Sequence, residues 1–257
     1  MFKRRPDAVV DSLIRLGKHM SMKLRLISIV CVLLLAGCSN VPDLSEGAIA
    51  MPAPAWRQQA TRYEVAAADS LLAIRAYRAG SLARLGHNHV IASESLSGQV
   101  YIANSFEKTW FELQLPVSSL LVDAAAMRDR YGEDFAAVVP EDAIAGTTEN
   151  MLAADVLNSV AWPLVIVRGT AVACEMQQCQ LHLELKLKGQ LSKHVVTVLV
   201  EQHDNRLLVH SEFNLSQTEL GLKPFSVMMG ALSVADELKF ELDLVATEFR
   251  PSDVPMQ

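Results

Sequence analysis

From about residue 63 onward, apolar and polar side chains alternate over short segments, the period of two that a half-buried β-strand imposes. Leu72, Ile74 and Ala76 alternate with Ala73, Arg75 and Tyr77, Val100 and Ile102 with Gln99 and Tyr101, and Phe111, Leu113 and Leu115 with Trp110, Glu112 and Gln114. The second half is cleaner. Leu181, Leu183, Leu185 and Leu187 take one face while His182, Glu184, Lys186 and Lys188 take the other. Val196, Val198 and Val200 form another row, Leu207 and Val209 the next, and Leu238, Phe240, Leu242 and Leu244 the last. His203-Asp204-Asn205 lies between two rows as a tight turn. Roughly nine strand candidates spaced by turn signals predict an all-β domain, an antiparallel barrel or sandwich.

One stretch breaks the alternation. Asp142 to Asn158 reads as helix, with Thr147 and Thr148 as capping candidates before Met151, Leu152, Val156 and Leu157, and it stops near Trp162-Pro163. A short helix or helix pair here is placed to cover one barrel mouth. About eight strands enclose an interior that side chains either just fill or leave able to hold one small ligand.

The first 62 residues follow a different plan. Met22 to Cys38 has a basic start at Lys23 and Arg25, an apolar run from Leu26 to Ala36, and the terminal tetrapeptide Leu35-Ala36-Gly37-Cys38. The run is short for a membrane span of about 20 residues and has the layout of an export signal. The tetrapeptide resembles the lipobox of bacterial lipoproteins, which implies lipidation at Cys38. Ser39 after it implies outer-membrane sorting in a Gram-negative envelope, facing the periplasm. Residues 1–37 are thus leader and signal, with translation starting at Met1, Met20 or Met22. Residues 38–62, with Pro42, Gly47, Pro52 and Pro54, read as a flexible tether, 63–250 as the barrel, and 251–257 as a tail.

Export places the remaining cysteines in an oxidising compartment. Cys174 and Cys179 bracket four residues between two strand-like runs, where facing α-carbons come within disulfide range, so a hairpin bridge is expected.

Charge narrows the function. The chain carries 23 Lys/Arg and 29 Asp/Glu; seven and two of these lie in residues 1–37, leaving 16 against 27, a net of −11 from residue 38 on. That sign opposes nucleic-acid binding, and with it a nuclease reading of His87-Asn88-His89. In the run Arg84 to Ser93, a strand sets His87 and His89 on one face. The pair suits a hydrogen-bonded structural role, the polar end of an apolar ligand site, or two ligands of a metal site in an envelope protein or enzyme. Met127 to Phe135 reads as a solvated charged turn. Ser118 and Ser119 lack the context of a hydrolase nucleophile, and no glycine-rich phosphate loop is present, so no enzymatic activity is expected.

Several features fall in a specific order: Gly98 before Val100; Pro116-Val117-Ser118-Ser119-Leu120 followed by Asp123 and Met127-Arg128-Asp129; Met151-Leu152 with Val156-Leu157 and Trp162-Pro163; Lys188-Gly189; and Leu220-Gly221-Leu222-Lys223-Pro224 followed by Gly230, Val234 and Asp236-Glu237-Leu238. From about Leu71 to Ala246 this order resembles the YceI-like family of exported, lipocalin-like proteins described as polyisoprenoid binders. The resemblance implies an antiparallel lipocalin-like β-barrel with an apolar isoprenoid-like lipid, polyprenyl or quinone, in its bore. No cofactor is implied. Phe111, Leu113, Leu115, Leu183, Leu185, Val198, Val209, Phe240 and Leu242 are the expected tail-binding rows, with His87, His89 and Arg128 at the polar end. A filled barrel serving as a structural or stress-related module is the other outcome that the rows permit.

Overall fold

The computed structural model describes residues 51–250. The lipobox ending at Cys38, the first part of the expected tether and the tail from residue 251 lie outside the described residues.

The described chain is a closed, eight-stranded antiparallel barrel with a short helix at one end. The alternating rows account for its walls. Strands β7 (Leu164–Glu175), β8 (Gln178–Leu187), β9 (Gln190–His203), β10 (Arg206–Ser216) and β12 (Leu232–Glu248) follow one another around the ring, each paired with the next along the sequence except for the tiny β11 (Ser226–Val227). The remaining three walls are each built of two segments. β1 (Thr61–Val65) and β2 (Leu71–Ala79) lie end to end along β12, with Tyr63 opposite Glu248 and Leu72 opposite Leu242. Their neighbour is β3 (His89–Ser93) continued by β4 (Ser97–Ile102), and the third wall is β5 (Thr109–Pro116) continued by β6 (Leu121–Val122). β5 then pairs with β7, and the ring is complete.

The breaks in the three split walls lie side by side. Tyr63 and Leu72 face Val100 and Ser93, so the first wall holds two more residues than the second over that interval. The 3-10 turn Ala67–Asp69 absorbs the excess, and a second 3-10 turn, Val117–Ser119, does so in the third wall. These bulges sharpen the local bend of the sheet. Gly98 sits at the same crease with φ +138, and a Cβ there would lie 2.2 Å from the Glu112 carbonyl oxygen. Only glycine lets the two strands meet at that angle.

The helix spans Glu141–Leu152, beginning after Pro140 and ending where Ala153 turns extended. It thus starts before Thr147 and Thr148 and stops short of Asn158. Thr148 is an interior residue whose hydroxyl donates back to the Ile144 carbonyl, so it cannot cap. Two acidic residues in the first turn, Glu141 and Asp142, meet the exposed amides of the N-terminus instead.

Residues 55–59 form a 3-10 turn packed on the outer wall, where the Arg57 guanidinium lies over the rings of Tyr101 and Trp110 at 5.0 and 5.2 Å. The Met51 amide donates to Glu184 at 2.7 Å. The final part of the expected tether is therefore docked on the barrel.

Cys174 and Cys179 form the expected disulfide, a cross-strand pair in the β7–β8 hairpin with α-carbons 4.1 Å apart. So short a loop removes little chain entropy, about 2 kcal/mol. Alkylation followed by mass spectrometry should label no thiol at these two positions until reductant is added, and the reduced barrel should remain folded.

Candidate functional site

The barrel is hollow. Its bore is a cavity of about 430 Å³, within the ordinary range for small-molecule sites. The inward rows line it: Leu72, Ile74 and Ala76; Val100 and Ile102; Leu181, Leu183, Leu185 and Leu187; Val196, Val198 and Val200; Leu238, Phe240, Leu242 and Leu244. On β8, lining positions run from Cys179 to Leu187, about 27 Å of strand. A tilt of about 40° turns this into a bore roughly 20 Å long, a shape for a chain more than for a compact ring.

One end is sealed. Tyr63, Cys179, Leu207, Leu244 and Ala246 are all buried there, and the Tyr63 hydroxyl accepts a hydrogen bond from Gln202. The other end lies under the helix, which contributes Thr147, Asn150 and Met151 to the lining. Arg78, His87, His89, Gln217 and Ser233 gather at this end, and Phe225 beside them is partly exposed. Deeper polar groups are silenced by backbone: Ser211 gives its hydroxyl to the Thr197 carbonyl and Thr109 to that of Phe106.

His87 and His89 do share a face. Both line the cavity, with ring centroids 6.3 Å apart, although only His89 belongs to β3. Asn88 points away and ties the loop behind it, donating to the Asp134 carbonyl at 2.9 Å.

Behind His89 stands a buried ionic chain. Its Nδ1 lies 2.6 Å from Asp123 Oδ2, while Asp123 Oδ1 accepts from the Val90 amide at 2.9 Å and from Arg128 Nη1 at 2.6 Å. The Asp123 side chain has no exposed surface. Burial works to raise its pKa, but the hydrogen bonds from His89, the Val90 amide and Arg128 outweigh it and hold the carboxyl below its ordinary value. An ionised Asp123 keeps the proton on His89 Nδ1 and so leaves Nε2 for the cavity. That edge accepts from a hydroxyl when the ring is neutral and donates to a carbonyl or ester oxygen when it is charged. Among the described residues no hydroxyl or thiol hydrogen-bonds to His89, so the pair lacks the nucleophile of an acyl-transfer triad. No group of three or more His, Cys, Asp or Glu gathers for a metal among those residues either.

A lowered carboxylate pKa stabilises the fold above its unfolded value and loses that contribution as pH falls through the folded one. Stability should therefore hold from neutrality down to the ordinary carboxylate pKa of about 3.9 and fall below it. Thermal melts across that range should show a shallower acid slope in Asp123→Asn than in the parent chain.

Of the expected site residues, Phe111, Leu113, Leu115, Leu183, Leu185, Val198, Val209, Phe240 and Leu242 line the bore with His87 and His89. Arg128 does not. Its Nη1 is shared between Asp123 and the Asn88 carbonyl, and its Nη2 between the carbonyls of Phe135 and Ala137, so it acts from behind His89. The loop around it is solvated only in part: Asp129, Glu133 and Asp134 are exposed, as expected of a charged turn, but other members of the run pack on the barrel. Arg130 pairs with Glu241, the Tyr131 ring lies under the Arg75 guanidinium, and Phe135 is buried against Tyr77. Burial, with Glu241 alongside, pushes the Tyr131 hydroxyl up to about 12.

Sequence reading missed Phe213, whose ring stacks on Phe240 at 5.2 Å inside the bore. The signal was present, since the row Leu207, Val209 continues by twos through Ser211 and Phe213 to Leu215. It missed Gly169 as well, where a Cβ would lie 2.2 Å from the Phe111 ring, so the glycine makes room for that aromatic.

Among solved structures, BcnA of Burkholderia cenocepacia aligns over 71% of this chain and 99% of its own, with a TM-score of 0.54 at 14% identity. The chain has the fold of BcnA. The BcnA likeness at this identity concerns the fold, and it agrees with the barrel that the rows allowed beside a sandwich and that the family resemblance implied as lipocalin-like. A polyisoprenoid-binding domain from Saccharophagus degradans aligns over 73% of this chain and 98% of its own, at TM-score 0.48 and 11% identity. The Campylobacter jejuni YceI protein aligns over 62% and 85%, at 0.46 and 6%. No protein-family model and no curated protein matches the sequence.

Proposed function

We propose that this chain is an exported lipoprotein, held through Cys38 to the periplasmic face of the outer membrane, whose barrel binds an apolar isoprenoid-like lipid of polyprenyl or quinone type without turning it over. The observation that carries the reading is the division of the bore: a sealed, mostly apolar depth, whose Thr109 and Ser211 hydroxyls are already given to backbone carbonyls, and a group of polar side chains gathered at the helix end. Such a site desolvates a tail along its length and meets a head group once. Each buried methylene of the tail contributes about 0.8 kcal/mol before ordering costs. At the head, His89 Nε2 supplies the hydrogen bond, fixed in direction by Asp123 and Arg128. The resemblance of the sequence to the YceI-like family supports the ligand class, and the tetrapeptide ending at Cys38 supports the anchor. The disulfide fits an oxidising compartment.

Organic extraction of the purified chain, followed by mass spectrometry, should recover a lipid with an isoprenoid tail and an oxygen-bearing head at near-stoichiometric yield. A chain that yields none, and that takes up none when offered a polyprenol or a quinone, would defeat the proposal.

A further inference from the structure

The rim of the open end carries an apolar surface that the ligand site does not use. β11 and the start of β12 form a small hairpin, Ser226 opposite Ser233 and Val227 opposite Leu232, whose tip is Met228-Met229-Gly230. Met229 is fully exposed and Met228 is 66% exposed. Both adopt the left-handed conformation, at φ +55 and +52, which disfavours side chains and is held here by the hairpin. Leu85, 63% exposed, lies alongside: Leu82 donates to the Ala231 carbonyl at 2.8 Å, and Gly86 abuts Leu232. Phe225 and Leu232 belong both to this rim and to the cavity lining, so apolar surface runs without a break from outside into the bore.

We infer that this rim is a membrane-docking surface, inserted among the acyl chains of a phospholipid bilayer so that a lipid passes between membrane and bore without crossing water. The tip is convex and carries bare methionines, which suits a fluid apolar medium. No charged residue occurs from Pro224 to Ala235; Lys223 precedes the stretch and Asp236 and Glu237 follow it, while Arg84 stands next to Leu85 in the second apolar arm. Cations at that depth meet anionic head groups. The position of the N-terminal segment agrees. From Thr61 at the sealed end, the chain runs along the outer wall to Met51, whose partner Glu184 lies toward the open end of β8. Thirteen residues from there to Cys38 span at most about 45 Å, which keeps the rim within reach of the anchored membrane. This last support rests on the lipoprotein reading; the exposed rim does not.

The test places a tryptophan at each end of the full chain, Met229→Trp at the rim and Met176→Trp at the exposed β7–β8 turn of the sealed end. Vesicles of phosphatidylethanolamine and phosphatidylglycerol carry brominated acyl chains. With the parent chain's own emission subtracted, the added emission at 229 should shift to the blue and be mostly quenched, while that at 176 stays unchanged. Equal quenching at both positions, or none at 229 while the chain sediments with the vesicles, would overturn the inference. So would a shift at 229 that appears without vesicles and grows with protein concentration, since a second copy would then cover the rim. A chain with Met228→Asp and Met229→Asp should lose the contact and still take up a polyprenol or quinone offered in detergent solution, so that failure of docking and failure of lipid binding read out separately.

Discussion

Replacing Arg128 by methionine is expected to destabilise the barrel by about 3–5 kcal/mol, the scale on which a buried ion pair is broken by removal of one partner. The size follows from how completely the guanidinium is engaged. Four acceptors, Asp123 Oδ1 and the carbonyls of Asn88, Phe135 and Ala137, take the hydrogens of its two terminal nitrogens. Methionine matches much of the volume and none of the donors, so a buried carboxylate loses its counter-charge and three carbonyls lose a partner together. Lysine restores charge but not the planar fork, and Arg128→Lys should recover only part of the loss. Urea unfolding measures both. A loss under about 1 kcal/mol for methionine would mean that the pair is solvated and that His89 is not held from behind. Methionine paired with Asp123→Asn should cost less than the two single changes added together, because the uncompensated charge is gone.

The second large effect is on the ligand. Val167 and Val198 both line the bore, Val167 opposite Leu185 in its open half and Val198 opposite Cys179 near the sealed end, and tryptophan at both positions extends into space that the chain itself leaves open. A bound tail that gives up two methylenes loses about 1.6 kcal/mol, more than tenfold in affinity, and a tail halted midway loses far more. The doubly substituted chain should keep its β-sheet circular dichroism while recovered lipid falls at least tenfold. Unchanged recovery would place the lipid outside the bore.

The walls and their inward faces were readable in the sequence because strand alternation is a local code: Leu181 and Leu183 face the same way whatever lies across the barrel. The hairpin disulfide was legible for the same reason, since both cysteines and their turn lie within a few residues. Arg128 was misread because its partners come from residues 88, 123, 135 and 137, brought together only by the fold, and a run of charges with no visible partner reads as solvated. Asp123, the residue that orients His89, stands alone in the sequence between an apolar strand and a helical turn. The helix starts within a residue of the expected Asp142, but behind Pro140 and two acids and not behind a hydroxyl cap, and it ends at Leu152, short of the expected Asn158. The cavity could not be read from the rows and was expected only through the family resemblance, since the same leucines and valines either fill a barrel or line one, according to how far apart the facing walls stand.

The seam that completes the ring joins its first wall to its last: Tyr63 meets Glu248, and Leu72 meets Leu242. Of the two neighbours of that first wall, β3–β4 follows it closely in sequence, but β12 does not exist until nearly the whole chain has been synthesised, and the loop that must close to bring β1 and β12 together is almost as long as the domain. High contact order of this kind puts folding on the millisecond-to-second scale, well behind a helical bundle of similar length. Under the export proposed above, that delay would be useful, since a polypeptide that threads a translocation pore passes more readily while it is still unfolded.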